Sequence, residues 1–138
     1  MSNLLRILQP PGWPRPKGYA NGVAARGVQV HVSGMVGWDA EGRFQTDDFV
    51  GQARQALANI LAVLAEAGAG PQHIVRMTWY VLDKREYLDA GAALSAAYRD
   101  LIGRHYPAMS AVQVAGLMED RARVEIEVTA VIPQMSPD

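Results

Sequence analysis

Tyr106-Pro107-Ala108-Met109-Ser110-Ala111-Val112-Gln113-Val114-Ala115 is the stretch on which the reading of this chain turns. Proline fixes φ and has no N–H to donate, so Pro107 belongs at the entry to an extended element rather than inside one. Ser110 to Leu117 then reads as a strand. A polar link, Met118-Glu119-Asp120-Arg121-Ala122, separates it from a second run, Arg123 to Ile132. There Val124, Ile126 and Val128 alternate with Glu125 and Glu127, the two-residue period of a strand buried on one face. Two strands this close in sequence predict a hairpin.

Working outward, Ile74 to Leu82 is rich in β-branched and aromatic residues, with Val75, Met77, Trp79 and Val81 on one side and Arg76, Thr78 and Tyr80 on the other. Between it and Pro107, Asp83 followed by Glu86 matches a capping box. Tyr87, Gly91, Leu94, Tyr98 and Leu101 then form a helical stripe that ends at Gly103. Upstream, Phe49, Ala53, Leu57, Ile60, Leu61 and Leu64 recur at helical spacing from Asp48 to Ala67, with Gln52, Gln55, Asn59 and Glu66 elsewhere on the wheel. Thr46 or Asp47 is placed to cap that helix, and Gly68 with Gly70-Pro71 to stop it.

Val28 to Ser33 alternates like a half-buried strand, Gly34 ends it, and Asp39-Ala40-Glu41-Gly42 reads as a turn. A short strand is expected from Tyr19 to Ala25. Residues 9–18 hold four prolines and two glycines, so 1–18 is expected to be an extended surface arm on a single domain spanning 1–138. The order β, α, β, α, β, β predicts an α+β fold, a mixed sheet with both helices on one face. The second face would carry Gln29, His31, Arg76, Thr78, Tyr80, Gln113, Glu125 and Glu127, a polar and aromatic mixture suited to a subunit interface.

A chain of 138 residues with 49% hydrophobic and 20% charged residues has the make-up of one globular domain. Its net charge of −1, with charges scattered along the chain, offers no basic stripe, so nucleic acid is not an expected partner. The absence of cysteine excludes disulfides and thiolate chemistry. The opening Met1-Ser2-Asn3-Leu4-Leu5-Arg6 lacks a leader's apolar core and no apolar run reaches spanning length, so a cytoplasmic protein away from membranes is expected. His31, His73 and His105 have no metal-ligand spacing, and Gly34-Met35-Val36-Gly37 is no phosphate loop; neither metal nor cofactor is expected. Glu125 and Glu127 share a strand face, which by pattern alone fits a solvated surface better than a site.

Several motifs in order resemble the RidA/YjgF family. They are Gly18-Tyr19-Ala20-Asn21-Gly22, Val30-His31-Val32-Ser33-Gly34, Gln55-Ala56-Leu57-Ala58-Asn59, Ile74-Val75-Arg76-Met77-Thr78, Pro107-Ala108-Met109-Ser110, and Val124-Glu125-Ile126-Glu127. The resemblance implies a chorismate-mutase-like fold, a homotrimer with ligand clefts between subunits, and cofactor-independent hydrolysis of reactive enamines and imines to 2-keto acids and ammonia. It implies that Glu125 orients or deprotonates the attacking water, and that Tyr19, Ser33, Gly34, Met109 and Ser110 line the substrate. The family's carboxylate-gripping arginine follows Pro-Ala, and here that position is Met109, which has no charge and no paired donors. Arg76 and Arg123 are the other cations weighed for the anchor, and neither is assigned to it. Trp38, His105 and Tyr106 are further candidate contacts. A hydrolase acting on an enamine or imine with less dependence on a carboxylate, with an aminomuconate-type intermediate as the example that the resemblance offers, is therefore the first expectation. A non-catalytic trimer that binds or senses a small molecule is the alternative, and a ribonuclease the third.

Overall fold

Residues 5–134 are described by the structure, a computed structural model, and its centre is a helix whose inner face is apolar except for the buried Gln52. Helix α1 (Phe49–Glu66) buries Phe49, Ala53, Ala56, Leu57, Ile60 and Leu64. Leu57, Ile60 and Leu64 are each fully buried, at about 1.5–3 kcal/mol apiece. They pack on strands β3 (Gly27–Val36), β4 (Ile74–Val81) and β6 (Val124–Pro133), whose core residues include Val32, Met77, Trp79, Ile126 and Val128. Helix α2 (Lys84–Leu101) lies on the same side, where Tyr87 meets Phe49 of α1 and Trp79 of β4 edge-on, with ring centroids 6.3 and 6.1 Å apart. The expected mixed sheet with two helices on one face is thus the observed fold.

Strand β5 (Ala108–Gln113) completes the sheet in the order β3-β6-β4-β5, parallel to β4, while β6 runs antiparallel to both β3 and β4. The predicted hairpin is therefore wrong: β4 lies between β5 and β6. Its cause is the β4-α2-β5 crossover, which returns β5 parallel to β4 on the far side from β6. The link 114–123 then passes over the end of β4, with Val114 N–H donating to Val81 O and Leu82 N–H donating to Arg123 O.

Local corrections follow from specific bonds. Asp48, not Thr46 or Asp47, caps α1 by accepting from Gly51 N–H at 2.7 Å, and Thr46 Oγ1 accepts from Asp48 N–H one turn earlier. Asp83 caps α2 as expected, but Glu86 does not close the box: its carboxylate receives Arg123 Nε at 2.8 and 3.0 Å. β3 does not stop at Gly34; a bulge between Val32 and Met35 carries it to Val36. A second bulge between Ile74 and Arg76 puts Ile74 in the core in place of Val75. Gln113 leaves the open face, pairing in register with buried Val81 and accepting from Lys84 N–H at 2.6 Å. The arm is not simply extended: β1 (Leu5–Leu8) pairs antiparallel with β2 (Gly22–Ala25), while residues 1–4 and 135–138 lie outside the described residues.

Candidate functional site

On the face away from the helices, the two carboxylates of β6 have different surroundings. Glu127 accepts the Tyr80 O–H at 2.5 Å, a bond that raises the phenol's pKa above its ordinary range, with desolvation and the charges of Glu127 and Glu125 adding to it. Glu125 has no hydrogen-bond partner among the described residues. It pairs in register with Tyr80 on one side and Val36 on the other, next to the β3 bulge. A Cβ placed on Gly34 would sit 2.2 Å from Glu125 Oε2 and 2.9 Å from its Cγ, so only the absence of a side chain lets this carboxylate rest against the bulge backbone. Ser33 precedes Gly34 on the same bulge and is exposed. Beside them Ser33, His31, Arg76, Thr78 and Glu127 line a depression of about 450 Å³. Ser110 faces this side too, accepting from Arg76 Nη2 at 3.3 Å.

Tyr19 and Met109 come together elsewhere. Met109 pairs in register with core Met77 and therefore points to the helix side. With Tyr19, Trp79, Tyr87, Leu94 and Tyr106 it lines a groove of about 640 Å³ between α2 and the β4-β5 edge. Tyr106 stacks on Tyr98 with centroids 5.5 Å apart, and burial raises the Tyr98 phenol, whose O–H donates to His105 O at 2.6 Å. His105 Nε2 donates to Ile74 O at 2.6 Å, which makes His105 part of the framework. Trp38 is framework as well, its ring tilted against Phe44 with centroids 5.9 Å apart and its carbonyl accepting from Asn59 Nδ2.

The sequence-derived residues thus fall into two groups within one chain. Ser33, Gly34 and Glu125 gather at the open face beside edge strand β3; Tyr19 and Met109 gather on the helix face beside the opposite edge strand, β5. Neither Arg76 nor Arg123 stands in the groove, since Arg76 is on the open face and Arg123 is held by Glu86. Among the described residues no three His, Asp or Glu side chains cluster as metal ligands, and no helix is long and apolar enough to cross a membrane. Trp79, Tyr87, Lys17 and Arg99 also line the groove and were not read as site residues. Their sequence patterns mark only a core strand, a helix stripe and a polar arm.

Residues 14–132 match the family described as Endoribonuclease L-PSP. The 2-iminobutanoate/2-iminopropanoate deaminase of Salmonella typhimurium is 34% identical over 116 residues, covering 82% of this chain and 86% of that protein. The reactive intermediate deaminase TdcF of Escherichia coli, so named with the qualifier putative, is 31% identical over 134 residues, covering 95% and 98%. Among solved structures, the Rid-family protein YyfB of Yersinia pestis, of unknown function, superposes with a TM-score of 0.82 at 29% identity, covering 94% of this chain and 99% of that one.

Proposed function

The chain belongs to the Endoribonuclease L-PSP family, the RidA/YjgF group, and from that premise we propose that it is a cofactor-independent hydrolase that deaminates a small reactive enamine or imine. The observation that carries this reading is the unpartnered Glu125 carboxylate seated on Gly34 while its neighbour Glu127 is occupied by Tyr80. A general base must be free to accept a proton and held at a defined place, and Glu125 meets both conditions. In this reading Glu125 takes a proton from water as the oxygen attacks the C=N carbon and passes it to the nitrogen, giving a neutral carbinolamine. The same carboxylate then accepts the carbinolamine hydroxyl proton and delivers it to the nitrogen as the C–N bond breaks, so that a keto product and ammonia leave.

The two residue groups on opposite faces cannot serve one substrate inside one chain. In the proposed assembly, a homotrimer, the Tyr19-Met109 groove of one copy meets the Ser33-Gly34-Glu125 bulge of the next, and Ser110 lies near the seam. A closed ring of this kind uses a different patch on each partner, as heterologous interfaces do. The test is ammonia release from imines generated in place by an amino acid oxidase. Turnover that falls by about 100-fold or more in Glu125→Gln supports the role, and unchanged turnover refutes it.

A second reading has its own support in Met109, an uncharged thioether lining the groove at the position that the resemblance gives to the carboxylate-gripping arginine. A binding protein that keeps the groove without chemistry would be stabilised by ligands that it never consumes. Thermal shift measured beside ammonia release separates the two.

A further inference from the structure

The groove is much larger than a two- or three-carbon side chain requires. At about 640 Å³ it is within the range of pockets that enclose whole ring-bearing ligands. Its lining includes Tyr19, Tyr87 and Tyr106 with Met109, a set of residues that favours a ring through aromatic and sulfur–aromatic contact. Above it α2 is broken at Gly91, with φ 27° and ψ −103°, and a Cβ there would meet nothing within 4 Å. Gly91 also lines the groove.

One buried polar atom on a residue of this lining lacks a partner. Trp79 is 2% exposed and lines the groove, yet its indole Nε1–H finds no acceptor among the described residues. Buried donors are nearly always paired, and an orphan one costs free energy that a ligand acceptor would recover. Two cations, Lys17 and Arg99, also line the groove, and neither has an ion-pair partner among the described residues. Lys17 and Arg99 are both exposed, so a charge beside them stays wet while a ring goes inward.

We infer that this groove is the side-chain pocket of the site and selects an aromatic imino acid. Its ring, bearing an acceptor such as a phenolic oxygen, meets Trp79 Nε1–H, and its carboxylate stays beside Lys17 and Arg99. The inference rests on the hydrolase reading for the reaction but not for the binding. It also accounts for Met109: the anchor has moved to the rim, and the old position serves the ring.

Imines made in place from L-tyrosine, L-phenylalanine and L-alanine test it. The expected order of kcat/KM is tyrosine-derived over phenylalanine-derived over alanine-derived, with about tenfold between the first and last. Trp79→Phe should erase the tyrosine-over-phenylalanine ratio, and Arg99→Ala, at an exposed position, should raise KM several-fold with kcat held. Preference for the alanine-derived imine, or an unaltered ratio in Trp79→Phe, would overturn it. Should no imine be hydrolysed, the hydrolase reading falls and calorimetry with 4-hydroxyphenylpyruvate decides the pocket. Binding about tenfold tighter than pyruvate, weakened by both variants, supports it, and equal or absent binding overturns it.

Discussion

Two glutamates two residues apart differ in use because of what lies across the sheet from each. Glu127 is tied to Tyr80, whereas Glu125 rests on a glycine bulge. The alternation of β6 placed both on one face but could not rank them, since the ranking depends on β3 and β4. Gly34→Ala is the matching test: the added methyl displaces the flexible end of Glu125 rather than backbone. Imine hydrolysis should fall by about 100-fold, while the thermal midpoint moves by only a few degrees. Gln52 was less legible. It falls among the polar positions of the helical wheel, yet it is fully buried, donating from Nε2 to Thr46 O and Arg121 O and accepting Arg123 N–H at 2.8 Å. Polar periodicity cannot reveal partners that are backbone groups of distant loops. Gln52→Leu should lower unfolding free energy by about 3 kcal/mol, read from urea melting, because three part-buried backbone groups lose their partner.

At the scale of elements, existence and type were legible and neighbours were not. Periodicity located both helices and four of the strands, because a buried face repeats along each. It misread β5 and β6 as a hairpin because a short polar link reports how near two strands are in sequence, not which strand comes between them. The break in α2 was also hidden, since Gly91 sits in phase with Tyr87, Leu94 and Tyr98. Its φ of 27° is a backbone that alanine adopts only under strain. Gly91→Ala should therefore cost about 1–2 kcal/mol in urea unfolding instead of giving the gain usual for glycine in a helix. A net stabilisation would show that α2 straightens freely. Asp83→Ala should cost about 1 kcal/mol by loss of the cap on Arg85 and Glu86 N–H.

For the molecule as a whole, the α+β architecture and the polar face opposite the helices were readable from pattern, whereas the division of the site was not. Tyr19 and Met109 cluster against the helices, and Glu125 with Gly34 against the open face. That separation follows from register: Met109 pairs with Met77 and Glu125 with Tyr80, so their side chains leave the sheet in opposite directions. Light scattering should accordingly give about three times the 15.0 kDa chain mass. The most direct measurement mixes two inactive variants, Glu125→Gln and the groove-filling Ala111→Trp, refolded together in equal amounts and assayed for ammonia release from an imine. With each site built from two copies, about one quarter of sites regain both native halves and activity returns to that level. Activity that stays absent on mixing, from variants that assemble together, would place both halves within one chain and contradict the shared site.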